Sequence, residues 1–287
     1  MTSPSPTCLT LPVADGHALP VRWFPADAAP AAILLMPALG VPARFYDPLA
    51  ASLQAAGVAV LVMEQRGHGD SRPQASRQAD FGYREALTHD IPAMIAFLRR
   101  QDATRPVHLM GHSLGGHYAV MTAGRLPGDI AGVIISACGS AWIGGFSGRT
   151  RRQLLLLTWL IPPLTALLGY YPGDKVGFGG REARRLMRDW LHLARRDRYV
   201  ATGLDEDLEA GIPRYEGPVL ALRMTDDDFA PEAAMEAVLR RLRRARVTRR
   251  VLDAATLGDR ADHFRWVRSP QAVTAEVIAW LDARAPA

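Results

Sequence analysis

The sequence predicts a single α/β fold built on a mostly parallel sheet, and three observations carry that prediction. Short apolar runs at 31–36, 58–63, 107–110, 130–136 and 219–224 have the length and density of strands buried on both faces. Segments with apolar residues at helical spacing, 45–56, 85–100 and 114–125, stand between those runs, and strand–helix–strand alternation implies right-handed parallel crossovers. The composition suits one enzyme-sized unit: 287 residues, 48% of them hydrophobic, can bury a full core, which excludes disorder as the main state.

The elements follow in chain order. Residues 7–11 and 18–24 read as a strand pair around the turn dipeptide Asp15-Gly16. The strand 31–36 leads to a helix over 45–56, which carries Leu49, Leu53 and Ala56 on one face and stops at Gly57 before the strand 58–63. The helix 85–100, strand 107–110, helix 114–125 and strand 130–136 repeat the cycle. After Ala137 the alternation stops in Arg-rich and Leu-rich helical text and resumes only at 219–224. An inserted helical lid accounts for the gap, dividing the chain into a first core part, 1–140, the lid, 141–217, and a second core part, 218–287. A helix over 232–243, a last strand over 247–251 and a closing helix over 270–283, with Pro270 in its first turn, complete the core. No internal repeat marks a solenoid or propeller.

Charge and cysteine usage narrow the function classes. The net charge is +5, and Lys175 is the sole lysine, a skew that reads as coding bias. The densest basic stretch runs through Arg240, Arg241, Arg243, Arg244, Arg246, Arg249 and Arg250. Leu239, Leu242 and Ala245 interleave there at helical spacing, so a solvated helix face with its exit is expected and no nucleic-acid partner. Cys8 and Cys138 give no disulfide scaffold and fit a reducing compartment. The opening Met-Thr-Ser-Pro-Ser-Pro has neither the basic nor the apolar region of a secretory leader, so a cytoplasmic location is expected. The uncharged stretch 154–171 is long enough to suggest a membrane span, but Pro162 and Pro163 are expected to break it.

Gly111-His112-Ser113-Leu114-Gly115 fits G-x-S-x-G and lies directly between a predicted strand and a predicted helix. The motif needs its glycines because the serine sits on a sharp, strained turn that lifts its hydroxyl above the sheet edge. A serine hydroxyl at its free pKa is a poor nucleophile, so a base and an orienting carboxylate are required, in the chain order Ser, acid, His. Asp226, Asp227 and Asp228 follow the strand 219–224, and His263 follows the strand 247–251. Of the other histidines, His17 and His89 precede the motif, His108 lies in a strand and His192 in the lid. His112 should point away from the serine, and His117, one turn along the helix, suits a core or pocket position. The three adjacent aspartates cannot all face one imidazole, and spacing alone leaves the choice open.

With these motifs the chain resembles the α/β-hydrolase superfamily. The resemblance rests on 33–40 for the strand and oxyanion loop, on Gln65-Arg66-Gly67-His68-Gly69-Asp70-Ser71 for the Arg-Gly-x-Gly-x-Ser loop, on the serine motif, and on 218–231 for the acid segment. It covers nearly the whole chain outside the lid and implies the α/β-hydrolase fold. A closer likeness is to a little-characterised bacterial group of serine hydrolases, through Thr225-Asp226-Asp227, Phe229-Ala230-Pro231, Tyr170-Tyr171-Pro172-Gly173 and His263-Phe264. In the superfamily the acid commonly stands four residues before a proline, and Pro231 then implies Asp227. The usual His-Gly of the oxyanion loop is Pro37-Ala38 here; no donor is lost, since the hole uses backbone N–H groups, expected from Leu39 and Leu114. Arg66 and Glu64 are expected to form a structural loop pair.

The resulting expectation is a serine hydrolase that cleaves a carboxylic ester through Ser113, Asp227 and His263, without cofactor or metal. Gly177-Phe178-Gly179-Gly180 has no preceding buried strand and no Lys-Ser or Lys-Thr tail, so it does not read as a phosphate loop. Leu154–Leu157, Trp159, Leu160, Ile161, Leu164, Leu167 and Leu168 are expected to pack over the mouth of the sheet and favour an apolar acyl group, with membrane contact as a further role. The competing readings are acyl transfer by the same triad and a non-catalytic binding module on the same fold. The partner expected is a small-molecule ester.

Overall fold

A computed structural model describes residues 5–284, so most of the N-terminal stretch read above for a leader lies outside the described residues. Strands β1 (Thr7–Pro12) and β2 (Ala18–Phe24) form an antiparallel hairpin that turns through Gly16 at φ +82°. The chain continues through β3 (Ala32–Met36), helix α1 (Asp47–Ala55), β4 (Ala59–Met63), α2 (Ile91–Gln101), β5 (Val107–His112), α3 (Leu114–Arg125) and β6 (Gly132–Ser136). An insert follows, made of α4 (Gly148–Leu168), the antiparallel pair β7 (Tyr170–Pro172) and β8 (Arg181–Ala183), and α5 (Arg184–Arg196). The sheet resumes with β9 (Pro218–Met224), α6 (Glu232–Leu239), β10 (Arg246–Leu252) and α7 (Pro270–Asp282). Its order is β1-β2-β4-β3-β5-β6-β9-β10, parallel from β4 to β10, which is the α/β-hydrolase architecture.

Every residue of β3, β4, β5 and β6 is buried, as continuous apolar runs in a parallel sheet require. The period of two then sorts side chains between two cores. Leu34, Leu61, Leu109 and Val133 face one layer with Met94 of α2 and Val120 of α3, whereas Ile33, Val60, Met110 and Ile134 face the other with Leu49 of α1 and Val277 of α7.

Four expectations from the sequence need correction. The helix expected over 85–100 is interrupted by a π turn at 86–90, with Pro92 near the start of α2; a one-residue register shift accommodates a ring that cannot donate to the preceding turn. The arginine stretch forms the exit of α6 and not its face, because α6 ends at Leu239, four residues before the expected end; Arg249 and Arg250 lie on β10 as the strand expected over 247–251 places them, and Arg246 opens it. Arg241 is buried rather than solvated: it pairs with Asp197 Oδ1 at 2.8 Å and Glu209 Oε1 at 3.1 Å and lies over the Tyr199 ring. Asp197, the left-handed residue that ends α5, thereby clasps the insert to the core.

Pro162 and Pro163 do not break α4, which runs through them. Pro162 cannot donate to the Thr158 carbonyl, and the Arg195 guanidinium of α5 donates to that oxygen instead. The leucines of α4 also divide. Leu154, Leu157 and Ile161 are buried, whereas Leu155, Leu156, Trp159, Leu160 and Leu167 are exposed, so about half of the apolar surface expected over the sheet faces outward. Among the described residues no helix is long and apolar enough to cross a membrane.

Candidate active site

Ser113 stands between β5 and α3 with φ 51° and ψ −113°, a conformation costly for any side chain. Its two glycines are there because nothing else fits. A Cβ on Gly111 would lie 2.1 Å from the Gly115 backbone, and one on Gly115 would lie 2.0 Å from the Met36 carbonyl oxygen of β3. The Ser113 amide donates to the Ser136 carbonyl at 3.2 Å, which ties the turn to the end of β6.

Asp227 and His263 come from the loops after β9 and β10. His263 Nδ1 is 2.8 Å from Asp227 Oδ2 and 3.0 Å from Oδ1, and both side chains are buried. Asp227 Oδ1 also accepts the Phe229 and Ala230 amides, at 2.8 and 2.9 Å, so the carboxylate is fixed before it meets the ring. Its neighbours do other work. Asp226 exchanges hydrogen bonds with Ala261, two residues before His263, and Asp228 is exposed. The pair leaves Nε2 of His263 free of Asp227, and Ser113 and His263 both form part of the wall of one cavity.

The cavity encloses about 140 Å³, and apart from Ser113, His117 and His263 its wall is apolar or glycine. Leu39 and Leu114 line it, and among the described residues neither amide has an acceptor within the chain; Leu114 is the first residue of α3, where the helix supplies none. The loop before Leu39 is held from below. Tyr46, fully buried, accepts the Ala38 amide at 2.8 Å and bonds His112 Nδ1 at 2.8 Å, while Gln65 Nε2 donates to the Pro37 and Ala38 carbonyls. His112 thus points beneath the serine, and burial with the neighbouring His263 pushes its pKa well down. His117 bonds the Tyr199 hydroxyl at 2.6 Å, and burial pushes its pKa down to about 3, so it is a neutral wall residue.

Sequence reasoning missed three parts of this site. Tyr46 lies in the helix start after β3, and its partner His112 is distant in sequence. Phe178, within the glycine segment set aside above, lines the cavity with Phe146 and Trp190. Phe229 and Phe264, each beside a polar site residue, close it near His263. The Arg66–Glu64 pair expected above does not form. Arg66 bonds Asp90 at 2.6–3.0 Å and Asp15 at 2.8 Å, while the Glu64 carboxylate accepts the Ala43 amide at 3.0 Å. Both serve structure, by different partners. Among the described residues no cluster of three or more His, Cys, Asp or Glu could hold a metal ion.

Residues 27–256 match the family model described as serine aminopeptidase, S33. Monoglyceride lipase of Homo sapiens is 30% identical over 123 residues, 42% of this chain and 40% of that protein, so the chain spans about two fifths of the length of the curated relatives it matches. Among solved structures, DcsB in complex with its substrate analogue has a TM-score of 0.66 at 13% identity, covering 97% of this chain and 99% of that one. Est1E from Butyrivibrio proteoclasticus has a TM-score of 0.59 at 15% identity, covering 96% and 99%. At these identities the two structures speak for the fold alone. With the family match spanning most of the sequence, the chain belongs to the S33 serine aminopeptidase family of α/β hydrolases.

Proposed function

We propose that the chain hydrolyses a carboxylic ester with an apolar acyl group through a covalent acyl-enzyme on Ser113. The Ser113 oxygen attacks the ester carbonyl carbon and its proton passes to His263 Nε2, while Asp227 holds Nδ1–H and stabilises the imidazolium. The Leu39 and Leu114 amides receive the oxyanion. Collapse breaks the ester C–O bond, and His263 returns the proton to the leaving alkoxide. Water then repeats the sequence on the acyl-enzyme, losing its proton to His263 and releasing the acid. Residues 141–217 serve as the lid.

The observation that carries this reading is the buried Asp227–His263 pair facing the same apolar cavity as a serine in a strained strand-to-helix turn. The volume, about 140 Å³, is well below the ~300 Å³ at which drug-sized sites begin, and this supports one acyl chain of short to medium length over a bulky group. The outward side of α4, where Leu156, Trp159 and Leu167 are exposed, supports peripheral contact of the lid with a lipid surface during substrate uptake. A fluorophosphonate probe should label the wild type and leave Ser113→Ala unmarked, and a panel of esters from acetyl to octanoyl should give a kcat/KM that rises with chain length before it falls. Labelling of Ser113→Ala sinks the nucleophile; a panel flat in chain length, or highest for acetyl, sinks the acyl preference and leaves the nucleophile standing.

A further inference from the structure

The insert meets the oxyanion loop at one place, with no room between them. A Cβ on Gly40 would lie 2.3 Å from the Gly180 nitrogen and 2.5 Å from the Gly179 carbonyl carbon, so the backbone at 179–180 forms the outer wall of the loop that carries Leu39. On its other side this wall is held by Glu182 of β8. The Glu182 side chain is fully buried, and its Oε1 accepts the Gly180 amide at 2.7 Å and faces His68 Nε2 at 3.1 Å. His68 belongs to the core loop after β4, and its Nδ1 is 3.0 Å from the Arg66 carbonyl. Both ring nitrogens therefore face acceptors, and His68 satisfies both as an imidazolium against the Glu182 carboxylate.

We propose that His68 and Glu182 are positioning residues for the hydrolysis: their ion pair latches the insert segment 177–180 against the oxyanion loop, and loss of one proton from the pair releases it. The inference rests on the hydrolase reading for its effect on rate, whereas the latch stands on geometry alone. The groups around the pair are few. Glu64 of the β4 end adds negative charge on the His68 side, Arg66 offers its carbonyl, and Tyr171 of β7 and Tyr118 of α3 are the titratable neighbours of Glu182. The carboxylates, Glu182 first, outweigh the burial that would otherwise lower His68, and its pKa rises to about 9. The sign follows from linkage: a histidine held above its usual value of 6.5 contributes stability that is complete below about pH 6.5 and is lost as pH rises through about 9. Above that point the ring keeps a single N–H, so the ion pair is lost and either the Glu182 carboxylate or the Arg66 carbonyl is left facing an unprotonated nitrogen.

Two measurements test this. The first is the pH profile of kcat/KM for a short-chain nitrophenyl ester, corrected for spontaneous hydrolysis. The wild type should lose at least fivefold between pH 8 and 10, through kcat more than KM. Glu182→Gln should flatten that limb, because a neutral amide oxygen in the place of Oε1 can accept both the Gly180 amide and the Nε2–H of a neutral His68, with no charge to lose as pH rises. The second is hydrogen exchange of the segment 173–183 in Ser113→Ala, which reads the latch without any reaction. His68→Ala in that background should exchange at least tenfold faster there, with β3 to β6 unchanged. An alkaline limb in Glu182→Gln identical to that of the wild type, or unaltered protection of 173–183 in the His68→Ala protein, overturns the latch. A wild type inactive on every ester overturns the hydrolase reading instead, and the exchange measurement then decides the latch by itself.

Discussion

Strand β5 and helix α4 bury their residues in opposite ways, and both contribute to the wall of one cavity, through Ser113 at the strand's end and Leu154 of the helix. All six residues of β5 are buried, and the strand delivers Ser113 at its end with the backbone held by β3 and β6. Helix α4 buries one side, with Leu154 reaching the cavity, and leaves Leu156, Trp159 and Leu167 in solvent. The histidines follow the same division. His108 and His112 of β5 and His117 of α3 are held neutral by burial, whereas His68, which faces the insert, is held charged by Glu182. The sheet thus supplies rigid placement of reacting groups, and the insert supplies contacts that depend on charge and surface. The strain at Ser113 persists because close-packed glycines surround it, which no surface helix could enforce.

The largest test of this contrast lies on the sheet side. Asp227→Asn should lower kcat by about 10⁴, the effect of holding the imidazole in the wrong tautomer, while Asp226→Asn and Asp228→Asn fall far less. Equal losses at Asp226 and Asp227 would show that the loop's shape, and not the one carboxylate on His263, controls the rate. Next in size is acid destabilisation. His108 has its pKa pushed down to about 4 and His117 to about 3, below the usual 6.5, so the folded chain binds fewer protons than the unfolded one and stability falls as pH drops below about 6.5. Urea unfolding should report a loss on the order of 1 kcal/mol for each such histidine between pH 7 and pH 5.5. A midpoint independent of pH over that range would mean that these rings are hydrated or already protonated. The smallest contrast is within α4 itself: Ile161→Ala should cost about 2–3 kcal/mol, and Leu156→Ser no more than about 0.5 kcal/mol. If the lid touches lipid, Leu156→Ser should weaken co-sedimentation with neutral liposomes although its stability is unchanged; equal stability losses at the two positions would remove the two-sided description of the helix.

What could be read in the sequence follows the same line. Strands such as 58–63 were legible because burial on both faces demands an unbroken apolar run, and their ends then located Ser113, the aspartate triplet and His263 by chain order alone. Which side of α4 faces inward was not legible, since Leu154 and Leu155 are chemically alike and only the partner helix distinguishes them. Pro162 reads as a break because the residue that serves the orphaned Thr158 carbonyl, Arg195, lies on another helix. The same limit hid Asp90 as the partner of Arg66, Tyr46 beneath His112, and the role of Gly179 and Gly180, whose small size answers to Gly40 across the fold. Local pattern reports what a residue avoids, water or strain; it does not report whom it meets.

The clasp at Asp197 bears on how this architecture can be rebuilt. Arg241 reaches from the turn after α6 to take the Asp197 carboxylate and backbone carbonyl together with Glu209, and Ser140 at the other end of the insert donates to the same Asp197 side chain at 2.9 Å. The entrance of the insert and the end of its last long helix, α5, therefore converge on one anion. A graft that exchanges the helical segment between scaffolds would carry its own entrance and exit only if Ser140, Asp197 and Glu209 travel with it; cut at 196, it would strand a buried guanidinium in the recipient. In modular terms, the transferable cassette is longer than its helices, and its border is drawn by a charge.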